Sequence, residues 1–262
     1  MPLVPTPLGP LHVDATGDGP PVLWIHAFPL AGALWRPQVE ALAGFRHVVP
    51  DLPGFGRSPE AAAPYTLDDV AGALGAVLDS LGVKRCAVCG VSMGGYILFG
   101  LFRRRPETIA AALFCDTRAG ADTDEGKANR EKFALAALEG GAAFAAREMV
   151  PKLVAESASP AVKTEVERLI LANPPGGIAA AQRAMARRPD SRPLLASIRV
   201  PALAVTGALD KLIPPAEAEA IANGIAGAAL ASIPGAAHLP GIEKPAEFNA
   251  AARRFLERHA PR

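Results

Sequence analysis

The chain has 262 residues, half of them hydrophobic, with 27 Lys and Arg against 26 Asp and Glu. That apolar content excludes a disordered chain, and a formal charge of +1 leaves no basic excess of the kind that nucleic-acid binding needs. The length suits one large α/β domain carrying an insertion.

The amino-terminal stretch MPLVPTPLGPLHVD has no basic start, no long apolar centre and three prolines in its first seven residues, so no signal peptide is expected. Val22-Leu23-Trp24-Ile25 is an apolar run between prolines and reads as a buried strand, with Phe45 to Val49 the next. Leu67, Val70, Leu74, Val77, Leu78 and Leu81 recur at helical spacing. Thr66 is the expected N-cap of that helix, and Gly82 its stop. Cys86 to Cys89 predicts a strand, Met93 to Phe102 a helix, and Ile109 to Cys115 a further strand. From about Arg118 to Arg192 only helical stretches occur: Arg130–Leu138, Ala142–Val154, Ala161–Ala172 and Ile178–Arg187. Strands resume at Pro201–Thr206 and Ala228–Ile233, and Pro214-Pro215 and Pro245 open two helices. Strands alternating with helices predict a mostly parallel sheet flanked by helices, interrupted by a helical cap. The expected division is a core over 1–117 and 196–262, with the cap at 118–195. No apolar run reaches the roughly 20 residues that span a bilayer, so no membrane partner is expected. Three cysteines cannot all pair, which favours a reducing, cytoplasmic setting.

Gly90-Val91-Ser92-Met93-Gly94-Gly95 lies between a predicted strand and helix, the context of a G-x-S-x-G nucleophile elbow. Strand and helix approach closely there, so positions 90 and 94 must be small. The sequence has neither the Gly-Lys-Ser/Thr of a phosphate loop nor a G-x-G-x-x-G here. A serine nucleophile needs a base and an orienting acid. Only His238 and His259 follow Ser92, and His259 sits at the end of the last helix. His238 is therefore the expected base. Asp210 and Asp116 both follow strands; Asp210 is preferred as the acid, and Asp116 reads as capping its strand end or bracing the cap. Oxyanion donors are expected from the N–H groups of Met93 and Phe28, with His26 as a loop support.

His26-Ala27-Phe28-Pro29, Asp51-Leu52-Pro53-Gly54-Phe55-Gly56-Arg57-Ser58, the Ser92 motif, Gly207-Ala208-Leu209-Asp210 and Pro234-Gly235-Ala236-Ala237-His238 occur in that order. Together they resemble the α/β-hydrolase superfamily, in particular its small esterases and enol-lactonases. The resemblance implies Ser92 as nucleophile, Asp210 as acid, His238 as base and Phe28 with Met93 as oxyanion donors. Ala27 departs from the glycine usual after the histidine. Asp116-Thr117-Arg118-Ala119 with Asp122 and Arg130 resembles a bacterial esterase and lactonase subgroup.

Trp35, Phe133, Leu138, Phe144, Met149 and Leu153 are candidates to line the substrate cavity, with burial in the cap's own core the alternative for each. Arg118 and Arg130 are candidates to hold an anionic substrate group, against the default of surface residues. Cys86 and Cys89 read as buried thiols rather than a metal or redox pair, and Arg103-Arg104-Arg105 as a solvated helix end. The expected activity is a serine carboxylesterase using no metal and no cofactor. Its expected partner is a small-molecule ester or lactone, and both monomer and homodimer stay open. Enol-lactone, carbon–carbon and perhydrolase chemistry use the same groups, and a non-catalytic receptor on this fold is the remaining alternative.

Overall fold

The computed structural model describes residues 3–261, so Met1 and Pro2 of the amino-terminal stretch lie outside it. Seven strands form one sheet: β1 (Val13–Thr16), β2 (Pro21–Ile25), β3 (Arg46–Pro50), β4 (Cys86–Val91), β5 (Ile109–Cys115), β6 (Ala202–Gly207) and β7 (Ala229–Ile233). Their order is β1-β3-β2-β4-β5-β6-β7. β1 runs antiparallel to β3, and every other neighbouring pair is parallel. Helices on both faces bury β4, β5 and β6 at every position, which is why these strands are continuous apolar runs rather than alternating ones. The sequence reading has no strand before Val22. Val13-Asp14-Ala15-Thr16 goes from buried to exposed along four residues of sheet edge, too short and too polar to announce itself.

The flanking helices are α1 (Arg36–Ala41), α2 (Leu67–Ser80), α3 (Met93–Arg104), α8 (Pro215–Gly224), α9 (Pro240–Glu243) and α10 (Pro245–His259), with four further helices lying between β5 and β6. Thr66 starts α2 as expected: its hydroxyl accepts from the Asp69 N–H at 3.1 Å, and the Asp69 carboxylate accepts from the Thr66 N–H at 2.9 Å. Such a cap contributes on the order of 1 kcal/mol. Gly82, at φ +67°, follows the helix end.

The segment between β5 and β6 contains α4 (Asp124–Leu153), α5 (Pro160–Leu171), α6 (Pro175–Ala186) and α7 (Arg192–Leu195), and no strand. Gly141, at φ +70° and ψ −169°, breaks α4 between the two stretches that the sequence separates there. α4 packs along α6, and Ala137, Ala145 and Leu153 of the insertion are buried in a cluster continuous with the core of the sheet.

β2 leads outward to β3, whereas β4 lies on the other side of β2. The connections therefore diverge between β2 and β4 and open a crevice at their carboxyl ends, the place where open parallel sheets bind ligands. No helix among the described residues is long and apolar enough to cross a membrane.

Candidate active site

Ser92 occupies the turn from β4 into α3 at φ +55° and ψ −114°. A non-glycine residue with positive φ stores on the order of 1–3 kcal/mol of strain, which the surroundings must hold. They do so through backbone contact. A Cβ on Gly90 would lie 2.3 Å from the Gly94 carbonyl oxygen, and one on Gly94 would lie 2.2 Å from that of Ile25. One on Gly95 would lie 2.4 Å from Thr117 Oγ1. The Ser92 N–H donates to the Cys115 carbonyl at 2.8 Å, and the Thr117 hydroxyl donates to the Ser92 carbonyl at 2.8 Å. Across the crevice, the loop after β2 carries His26, whose Nε2 accepts from the Leu52 N–H at 3.1 Å. Burial lowers the His26 pKa, and the ring acts as a neutral loop brace. The N–H groups of Phe28 and Met93 donate to no acceptor among the described residues.

His238 follows β7 and is fully buried. Its Nδ1 donates to Asp210 Oδ2 at 2.7 Å, and the other Asp210 oxygen accepts from the Leu212 and Ile213 N–H groups at 2.8 and 3.0 Å. Those contacts fix the tautomer and leave Nε2, buried and without a partner, as the free lone pair of the ring. Glu243 holds this loop from behind: its Oε1 accepts from the N–H groups of Ala237 and Leu239, each at 3.0 Å. Its Oε2 accepts from Ala155 N–H at 2.7 Å, just past the end of α4.

Asp116 sits beside this pair, at φ +42° after β5, within 4.8 Å of both Asp210 and His238. Its Oδ1 accepts from the Gly207 N–H at 2.7 Å, so it ties the ends of β5 and β6 together and does not brace the insertion. Burial, followed by the charge of Asp210, pushes the Asp116 carboxyl well above the usual carboxylate range. The two acids thus have different surroundings: Asp210 accepts from two N–H donors and faces the imidazole, whereas Asp116 accepts from one N–H and its Oδ2 is buried without a partner.

A cavity of about 210 Å³ opens at Ser92. The core contributes Phe28, Tyr96, Leu212 and Ile213 to its wall, and the insertion contributes Arg118, Asn129, Arg130, Phe133, Met149, Lys152, Gln182 and Met185. Phe133 meets Phe28 edge to face with ring centroids 5.8 Å apart. Four of the residues expected on this wall are elsewhere. Trp35 is buried in the core, 4.9 Å from Trp24 between ring centroids. Leu138 faces outward on α4 with 47% of its surface exposed, and Phe144 stands behind Phe133 at 5.2 Å. Leu153 is fully buried within the core and is not on the wall either. In each case the helix phase decides, and apolar character alone does not reveal it.

The sequence reading missed Tyr96, Asn129, Lys152, Gln182, Met185, Leu212 and Ile213. Spacing carried a usable signal for some: Tyr96 lies one turn after Ser92, Asn129 one turn before Phe133, and Lys152 three residues after Met149. Asn173, also missed, is buried at the end of α5. It donates to the Pro29 carbonyl at 2.7 Å and accepts from the Gly56 N–H at 2.8 Å, tying the insertion to the loops after β2 and β3. Cys86, Cys89 and Cys115 are free and buried.

A serine on a strained turn after β4 and a histidine paired with a carboxylate after β7 both follow strands of one sheet, and these are group types that acyl transfer uses. The chain is similar over nearly its whole length to a thermophilic esterase from Thermogutta terrifontis solved with malate bound. Identity is 38%, with a TM-score of 0.94 and coverage of 98% of this chain and 97% of that one. The enol-lactonase from Burkholderia xenovorans LB400 is 27% identical, with a TM-score of 0.90 over 98% of this chain and all of that one. A relative in Azorhizobium caulinodans, named as a carbamate hydrolase, RutD, is 29% identical over 91% of this chain and 92% of its own length. The model of the alpha/beta hydrolase fold family matches residues 20–245, and the chain belongs to that family.

Proposed function

We propose that this hydrolase cleaves carboxylic esters through an acyl-enzyme on Ser92, with His238 as general base and acid and Asp210 as the residue that orients it. The observation carrying the reading is the 2.7 Å His238–Asp210 hydrogen bond, which leaves a buried, unpartnered Nε2 at the sheet edge where Ser92 turns. Ser92 Oγ attacks the ester carbonyl while its proton passes to His238 Nε2. The oxygen takes up negative charge between the Phe28 and Met93 N–H groups. Collapse breaks the bond to the alcohol oxygen, which leaves with the proton from His238. Water then attacks the acyl carbon, gives its proton to His238, and frees the acid as Ser92 regains a proton. Residues 118–195 act as a cap whose inner wall selects the substrate, over a core of 1–117 and 196–262. Three free buried thiols support a reducing, cytoplasmic setting.

Lactone hydrolysis is the second reading, favoured by full-length similarity to an enol-lactonase. The bonds made and broken are the same, and the alcohol stays attached to the product. Turnover of 4-nitrophenyl butyrate is the test: Ser92→Ala is expected to lower kcat on the order of 10⁶-fold. Equal rates in both proteins would remove the serine mechanism. Tight ligand binding without turnover of any ester or lactone would instead favour a receptor.

A further inference from the structure

We propose that the substrate carries a free carboxylate and that Arg118 receives it, an inference that rests on Ser92 being the reacting group. The cavity at Ser92 has three basic side chains on its wall, Arg118, Arg130 and Lys152, and no acidic one. Two of the three have acidic neighbours: Arg130 donates to Asp122, and Lys152 lies 3.6 Å from Glu148. Asp122 is shared, because Arg188 also binds it at 2.7 Å, so two guanidiniums lean on one carboxylate and the wall keeps a positive excess.

Arg118 differs from both. No carboxylate lies within ion-pairing distance of it among the described residues. Its Nη2 donates to the Leu212 carbonyl at 3.0 Å, which anchors the guanidinium beside the loop of Asp210. Its Nε is buried and has no acceptor. A guanidinium that is anchored at one corner, unpaired in charge and short of an acceptor is set up for an anionic oxygen pair, and its planar fork matches a carboxylate. One unpaired charge suits a carboxylate monoanion better than a phosphate dianion, which would call for further N–H donors. Arg118 and Ser92 line the same cavity, so the anion site adjoins the reacting carbon. In a cavity of about 210 Å³, that makes the substrate a small acid ester or acid lactone.

Matched substrate pairs test this. 4-Nitrophenyl hemisuccinate and its methyl-capped diester place the acid on the acyl side; 4-acetoxybenzoate and its methyl ester place it on the alcohol side. The wild-type protein is expected to favour the free acid at least about 10-fold in kcat/KM in one pair, through KM. Arg118→Leu should reduce that acid-to-capped ratio about 10-fold, and Arg118→Lys should restore part of it. Succinate should compete with a neutral ester and raise Tm in the wild type, whereas dimethyl succinate should do neither. Equal use of acid and capped esters in both pairs, or a ratio unchanged in folded Arg118→Leu, overturns the proposal. A purely structural role for Arg118 would lower both members of a pair together. If no ester is turned over in a Ser92-dependent way, the hydrolase reading fails. The succinate shift in Tm, and its loss in Arg118→Leu, still reads the carboxylate site.

Discussion

The edge of the sheet and the helical insertion build the same cavity by different means. At the sheet edge, positions are set by backbone: Gly90 and Gly94 allow main chain to touch main chain, and Ser92, Asp116 and Asp210 hang from strand ends linked by amide hydrogen bonds. In the insertion, positions are set by helix phase, and the wall is made of side chains that project from α4 and α6. The first kind of order tolerates almost no change in shape. The second can be redecorated at little cost to the fold. On the proposed chemistry, reaction type and substrate choice are therefore separable within one chain.

The largest effect should come from the two acids at the sheet edge. On the proposed chemistry, Asp210→Asn removes the charge that orients His238, and kcat on a chromogenic ester should fall on the order of 10⁴-fold. Asp116→Asn keeps a side-chain oxygen that can accept from the Gly207 N–H and should stay within about 10-fold. Equal losses in both would erase the distinction between them. The same variant carries a signature in pH. Because folding raises the Asp116 pKa above its unfolded value, its contribution to stability is complete below that value and is lost as pH rises. Urea midpoints should therefore move in favour of Asp116→Asn between pH 4 and pH 8.

Stability separates the regions next. Gly94→Ala puts a methyl group 2.2 Å from a backbone oxygen and should cost about 3 kcal/mol. Gly120, at the entry to the insertion, has nothing within 4 Å of a Cβ, and Gly120→Ala should stay within about 0.5 kcal/mol. Similar urea midpoints for the two variants would contradict the contrast. The smallest effect belongs to the wall. Phe133→Ala should change kcat/KM by about 10-fold and shift acyl-length preference while leaving the Ser92 chemistry in place. A loss of kcat common to all acyl lengths would mean that the insertion also organises the reacting groups.

The sequence makes the sheet edge legible because its demands are local. A positive-φ serine between small residues, a strand that ends in an acid and a loop that ends in histidine each leave a mark within a few residues. Ile109 to Cys115 can be bounded to the residue because a strand covered on both faces has no polar position in it. The wall is harder to read. Trp35, Leu138 and Phe144 have the composition of lining residues, but only packing reveals which way each one turns. Asn129, Lys152 and Gln182 look like a solvated helix face until the opposite wall is known. Asn173 and Glu243 are legible least of all: Asn173 reaches Pro29 across 144 residues, and Glu243 reaches Ala155 across 88. No local pattern marks such a pairing.

Glu243 has a mechanical consequence. A single carboxylate fastens the backbone on both sides of His238, and its second oxygen fastens the chain just beyond α4. The seat of the imidazole and the hem of the insertion share one rivet. A swing of α4 away from the core would pull on the loop that seats the imidazole, so the openness of the cavity and the orientation of the His238 ring are not independent adjustments. Loosening that rivet would blur both together.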